Sequence, residues 1–293
     1  MEALVGLIGM APLSWIIPER LWGISSLVIA FFAACVHARG IGLQTKRIMC
    51  TWGLNLQVPS LWITAVKLLA GSIEENFQYL RECCPGGWRP RIDLVGREHI
   101  EHALQRGHGA ILWVGPFLYR DLVLKKGLHQ AGFPVTHLGS YWHGPSSSRF
   151  GVRFVQPIKV EIERRYLAER IVIPRDGKLG YIRRVERRIR ENGLVSITCE
   201  GHLDQKVIRC PVLNGTMELA TGAASFALST EAALLPVFTI RKHPGEFEII
   251  VEKEFEVPVS RSRHQAIELL VHRYAKLLES FMIRYPVSFP LHR

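Results

Sequence analysis

The sequence lacks the cysteine spacing of a zinc site. Its six cysteines, Cys35, Cys50, Cys83, Cys84, Cys199 and Cys210, show no pairing suited to four metal ligands, and the adjacent Cys83-Cys84 pair does not suit an extracellular disulfide framework. A reducing, cytosol-facing environment is the simpler expectation, and no metal or redox cofactor is expected. Secretory-signal features are missing too, because no basic residue precedes the first apolar region and no clear small-residue cleavage site follows it. Acidic side chains are outnumbered, 26 against 37 basic, for a formal net charge of +11. That excess favours an anionic partner: anionic lipid, a carrier protein, a phosphorylated substrate or nucleic acid. No recognisable nucleic-acid module accompanies the charge, and aromatic residues are not interleaved with it.

With 293 residues, of which 48% are hydrophobic, the chain is long enough for one large domain and short for two. The expected organisation is an apolar attachment segment over 1–40 and a single α/β domain over 41–293. Leu21–Val36 runs for sixteen residues without a charge. As a helix this spans roughly 24 Å, slightly short of a hydrocarbon core of about 30 Å. The earlier stretch Ala3–Pro18 is interrupted by Pro12 and Pro18 and reads as a separate interfacial piece. Arg39, Lys46 and Arg47 on the C-terminal side would leave the main domain in the cytoplasm, at the inner membrane. The alternative is a buried core helix of a soluble protein.

Residues 41–85 read as helical, ending at Cys83-Cys84-Pro85-Gly86-Gly87. Arg91–Val95 reads as a short strand and Arg97–Gln105 as a helix. Ala110–Val114, bounded by Gly109 and Gly115, is a short apolar run suited to a strand covered on both faces. Pro116 suits a first helical position, which would put Asp121 inside the first turns of a helix reaching Gln130. A strand's carboxyl end facing a helix N-terminus is where open α/β sheets usually place chemistry. A strand near Pro134–Leu138 follows. The alternation of strands and helices predicts an α/β fold, a central mixed sheet flanked by helices.

Ser140–Arg153 is loop-like, rich in aromatic and basic residues, and could lie over the sheet edge as a lid. Nine arginines occur between Arg164 and Arg190. In a helix over Lys178–Asn192, Leu179, Ile182, Val185 and Ile189 share one face, leaving Arg183, Arg184, Arg187, Arg188 and Arg190 largely on the other. This pattern is either a solvated amphipathic helix or a docking face for anionic headgroups or a carrier protein. Leu194-Val-Ser-Ile-Thr-Cys-Glu-Gly201 is an apolar strand ending in Glu200-Gly201. Glu246–Glu256 alternates as a half-exposed strand near a sheet edge. Ser262–Arg284 carries Ile267, Leu270, Tyr274, Leu277, Leu278 and Phe281 on a helical stripe.

The segment Gly115-Pro-Phe-Leu-Tyr-Arg-Asp121 resembles the strand-to-helix motif of the late lipid A (lauroyl and myristoyl) acyltransferases and, more distantly, of the glycerol-phosphate acyltransferases. Glu200-Gly201 resembles the wider superfamily's Pro-Glu-Gly block, with Cys199 in place of proline. Pro211–Gly215, Thr221–Leu228 and Ala233–Phe238 resemble the lipid A transferases' glycine turn, small-residue helix and Pro-Val-Phe strand. The ending Tyr274–Glu279 with Arg284-Tyr-Pro286 is similar to the family's C-terminal helix. In those families a His-x-x-x-x-Asp or -Glu motif supplies a general base and an acid that orients it, and the later Glu helps shape the acceptor or phosphate site. Here Asp121 matches the acid position, and Pro116 occupies the histidine position with no titratable group.

The resemblance implies a membrane-associated acyltransferase moving an acyl group from an acyl-CoA or acyl-carrier-protein thioester to a lipid or small hydrophobic acceptor. Candidate catalytic residues are Asp121, Glu200, His202 and His143, the two histidines as substitute bases. Candidate substrate contacts are Pro116, Tyr119, Arg149, Arg164, Arg165 and Gly201. Asp121 or Glu200 would itself serve as base if desolvation raised its pKa, and Cys199 with His202 would open a covalent route. Two other classes stay open: a catalytically silent lipid- or acyl-binding member, and an RNA-binding, aminoacyl-tRNA-dependent transferase.

Overall fold

The computed structural model describes residues 14–36, 58–140, 153, 156–174, 179–201, 206–258, 260 and 262–288. The candidates His143, Arg149 and His202, and the lid expected over Ser140–Arg153 apart from its ends, lie outside them, as does the apolar stretch before Ser14.

After a 3-10 turn over Glu19–Leu21, the apolar N-terminal run forms α1 (Trp22–Val36), which lies along α2 (Val58–Glu82). Trp22, Ser26, Ala30 and Ala34 face inward, and Trp22 meets Phe77 edge-on at 5.9 Å. The opposite face leaves Ile24, Leu27, Val28, Phe31, Phe32 and Val36 exposed. α1 is therefore not a buried core helix. Glu19–Val36 is long and apolar enough, by length and composition, to cross a membrane.

The remaining elements are β1 (Arg91–Val95), α3 (Arg97–Gln105), β2 (Ala110–Val114), α4 (Leu122–Gln130), β3 (Val135–Ser140), α5 (Gln156–Arg164), β4 (Glu169–Ile173), α6 (Gly180–Arg190) and β5 (Leu194–Thr198). These are followed by β6 (Val207–Val212), β7 (Gly215–Ala220), α7 (Gly222–Thr230), β8 (Ala233–His243), β9 (Glu246–Val251) and α8 (Arg263–Arg284). Seven strands form one sheet in the order β1-β9-β8-β2-β5-β3-β4, and β6 and β7 make a separate hairpin. All sheet pairings are parallel except β8 with β9, so the sheet is mixed and β1 and β9 run against the rest.

β2 is central, and all five of its side chains are buried. Ile111 and Trp113 join the core beneath α6, α7 and α8, while Ala110, Leu112 and Val114 join the core beneath α3 and α4. This is the period-two consequence of a strand covered on both faces. β9 buries Phe247, Ile249 and Val251 on one face, as its alternation predicts, and lies next to edge strand β1. The small residues Ala223, Ala224 and Ala227 of α7 are buried, and Ser262 caps α8 by accepting from the Gln265 amide.

One expectation is corrected. Helix α4 begins at Leu122, with Asp121 at its N-cap, not at Pro116. Residues 116–121 form a buried turn instead. Phe117 packs edge-on against Phe238 at 5.6 Å and near Phe281, Leu118 and the Tyr119 hydroxyl press against Gly71 of α2, and Tyr119 adopts φ +67°. Core insertion of three large side chains here outweighs the preference of Pro116 for a first helical turn.

Candidate active site

β2 and β5 are adjacent and parallel, with Val114 opposite Thr198, so their carboxyl ends emerge side by side. The amide of Cys199 continues the ladder onto Val114 O at 3.0 Å, and Glu200 bridges to Leu219 of the hairpin. Gly115 lets the β2 end turn closely, since a Cβ there would come within 2.5 Å of the Phe238 ring. The turn is held at Gly115 N to Val237 O, 2.8 Å, and Leu118 N to Ser288 O, 2.7 Å. Gly201 is similarly tight, because a Cβ there would run into the Val207 side chain.

These constraints bring the two acids named from sequence to one sheet edge, joined by a residue that sequence reasoning missed. Arg120, immediately before Asp121, ion-pairs with Glu200 at 2.5 Å, their side chains 14% and 9% exposed. Burial disfavours the guanidinium, but the carboxylates of Glu200 and Asp121 outweigh it and hold Arg120 protonated above its usual range. Arg120 was legible only as one more arginine, since its partner lies far along the chain.

Asp121 keeps a third of its side chain exposed and sits 3.8 Å from Lys125 Nζ. Beneath it is a charged layer between α2, α4 and α5. Lys125 pairs with the fully buried Glu163, which also accepts from Tyr79 OH at 2.5 Å. Lys159 donates to Asn76 Oδ1 at 2.9 Å and lies over the Tyr79 ring. Burial lowers the pKa of Lys159, against the opposing pull of Glu75, Asp121 and Glu163. Glu75, on α2, accepts the Tyr119 amide at 2.6 Å. Protein packed around its carboxyl, and then the charge of Asp121, push its pKa up to about 7. Glu75 was missed because nothing in its local sequence links it to a turn 44 residues away; the one available signal was an acidic pair, Glu74-Glu75, in a helix whose other charges are Lys67, Arg81 and Glu82.

The other candidates are dispersed. Pro116 is buried at the start of the turn, and Tyr119 is buried, its ring 5.2 Å from Phe247. Arg164 and Arg165 are exposed at the end of α5. Arg164 lies 3.5 Å from Glu161, and Arg165 lines a groove with Glu82, Trp88 and Lys126. Cys199 is fully buried; burial, then the charge of Glu200, push its thiol up to about 12. A thiol so placed is not a ready nucleophile.

The arginine face of α6 is partly neutralised within the fold. Glu169 pairs with Arg184 and, at 2.5 Å, with Arg188, and Glu191 pairs with Arg188 at 2.8 Å. An apolar cavity of about 470 Å³ opens between α6 and α7 at the ends of β3 and β5, lined by Leu138, Ile182, Ile197 and Phe226 with Lys206 and Arg263 among its polar residues. No group of three or more metal-ligating side chains occurs among the described residues.

The profile of the family described as bacterial lipid A biosynthesis acyltransferase matches residues 85–289, more than half of the chain. This chain belongs to that family. The matched region contains both strand ends, the buried turn and the Arg120–Glu200 pair, so the acyltransferase family and the geometry concern the same part of the fold. No curated protein sequence matches the chain. Among solved structures, the crystal structure of the 1-acyl-sn-glycerophosphate (LPA) acyltransferase PlsC from Thermotoga maritima is similar at 12% identity and a TM-score of 0.37, covering 90% of this chain and 100% of that one.

Proposed function

We propose that this protein is a membrane-associated acyltransferase that moves an acyl group from an acyl-CoA or acyl-carrier-protein thioester onto a lipid or small hydrophobic acceptor. In this reading Pro116 stands where related enzymes carry the motif histidine. The observation that carries the proposal is the convergence of Asp121, Arg120 and Glu200 at the adjacent carboxyl ends of β2 and β5, within a chain of acyltransferase family.

Acyl transfer needs a polarised acceptor and donors for the oxyanion that develops on the thioester carbonyl. Arg120, kept cationic by its two acidic neighbours, supplies positive potential beside Asp121. The cavity between α6 and α7 is apolar and lies within the usual size range of ligand sites, which supports a hydrocarbon substrate. The outward face of α1, with Phe31 and Phe32 exposed, supports attachment of residues 1–40 to a membrane, the catalytic domain over 41–293 facing the cytoplasm. Partial neutralisation of the α6 arginines by Glu169 and Glu191 leaves less charge for an RNA partner.

The test is mass spectrometry of products from detergent-purified protein given acyl-CoA and acyl-carrier-protein donors with lipid, alcohol and amine acceptors. New acyl product supports the proposal. Donor binding without product would favour a silent acyl-binding member, and salt-sensitive RNA binding without product would favour the tRNA-dependent reading.

A further inference from the structure

We propose that Glu75, presented by α2 to the turn before α4, is the group that takes the proton from the acceptor hydroxyl in place of a histidine. This inference rests on the acyltransferase reading above. Pro116 offers no proton acceptor. Among the described residues, His137 on β3, a neighbour of β5, is 5% exposed and bonded to Ser196 Oγ at 2.9 Å, inside the sheet rather than at its edge. Glu200 is committed to the Arg120 guanidinium at 2.5 Å, so its carboxyl oxygen is already engaged and not presented to an acceptor.

Glu75 differs in three respects. Its Oε1 accepts the Tyr119 amide at 2.6 Å, two residues before Asp121, which fixes the carboxyl beside the turn while leaving Oε2 to accept a proton. Glu75 is half-buried as a residue, and Asp121 keeps a third of its side chain exposed, which makes the Asp121 side of the turn the direction from which an acceptor would reach the carboxyl. The charges around it are balanced rather than dominated by one cation. From the turn, Asp121 raises its pKa and Arg120 lowers it. From α5, Lys159 lowers it, and on its own helix the Tyr79 phenol is coupled to it. Its neighbour Glu74 points elsewhere, to Arg241 at 3.1 Å. Burial is the largest cause of the raised Glu75 value, about 7, which suits a base working near neutrality.

The acceptor O–H proton passes to Glu75 Oε2 as the acceptor oxygen bonds to the thioester carbonyl carbon. The tetrahedral intermediate then collapses, the C–S bond breaks, and the leaving thiolate takes the proton from Glu75, giving ester and thiol with the carboxylate restored.

The experiment compares wild type with Glu75→Gln and Glu75→Asp in the full-length, detergent-purified protein, using a donor and hydroxyl acceptor on which wild type turns over. Gln retains the oxygen that holds the Tyr119 amide, so the melting temperature stays near wild type. The expected result for Glu75→Gln is a kcat lower by about 10²–10³-fold with KM little changed, partial recovery in Glu75→Asp, and loss of the acid limb of the wild-type pH–rate profile near pH 7. A folded Glu75→Gln variant with wild-type kcat, or one that keeps that limb, overturns the assignment of Glu75 while acyl transfer stands. Absence of product from wild type with every donor and acceptor overturns the acyltransferase reading, and the assignment of Glu75 with it.

Discussion

Replacing Arg120 with methionine removes the guanidinium that joins the two strand ends while keeping most of its stem. The partner Glu200 is then left as a carboxylate 8% exposed, formerly 2.5 Å from a cation. Removing one member of a buried pair costs roughly 3–5 kcal/mol, mainly because the remaining charge is orphaned. The 14% exposure of the Arg120 side chain lets some water reach Glu200, which places the expected cost at the lower end, about 3 kcal/mol. For a chain of this size that is a fall of roughly 6–12 °C in melting temperature. The double variant Arg120→Met with Glu200→Gln removes the orphaned charge and should recover about 2 kcal/mol of the loss. Thermal melting followed by circular dichroism in one detergent and buffer measures wild type, Arg120→Met, Glu200→Gln and the double variant. A single variant melting within about 1 °C of wild type, or strictly additive losses in the double variant, would refute the claim that this pair clamps the site.

Four further outcomes are expected. Gly96→Ala should destabilise by roughly 2–4 kcal/mol in denaturant titration, because φ is +80° and the added Cβ would collide with Val251 O. Glu74, 2% exposed, has a pKa raised to about 7, chiefly by burial. The unfolded carboxyl ionises first, so wild-type stability from this group is full below about pH 4.5 and is lost as pH rises towards 7; Glu74→Gln should therefore gain on wild type by up to about 3 kcal/mol between pH 4.5 and 8, and a constant difference in melting across that range would contradict it. Cys199, its thiol held up near 12, should resist iodoacetamide at pH 8 in the folded protein and react in urea, as read by peptide mass spectrometry. Val28→Asp with Phe32→Asp on the exposed face of α1 should lower liposome flotation with little change in melting temperature, each charge costing about 3 kcal/mol in hydrocarbon.

Legibility in the sequence followed the range of the interactions. The buried strand β2, the alternation of β9 and the stripe of α8 are written as local periodicity and can be read from the residues alone. Asp121 and Glu200 were legible because each follows the end of an apolar strand, and adjacent parallel pairing of β2 and β5 then brought those ends together. The turn over 116–121 was not legible: Pro116 favours a helix start, while the burial of Phe117, Leu118 and Tyr119 against α2, β8 and α8 depends on partners distant in sequence. The roles of Arg120 and Glu75 were hidden for the same reason. That two arginines of α6 are held by Glu169 could not be read from the helix, because Glu169 lies on β4.

The most direct test of the central claim is the yield of acyl product from Asp121→Asn against wild type, measured by mass spectrometry at matched folded concentration. The account predicts a loss of at least about 100-fold in Asp121→Asn, with donor binding retained. An equal yield from a folded Asp121→Asn variant would contradict the placement of the chemistry at the junction of β2 and α4.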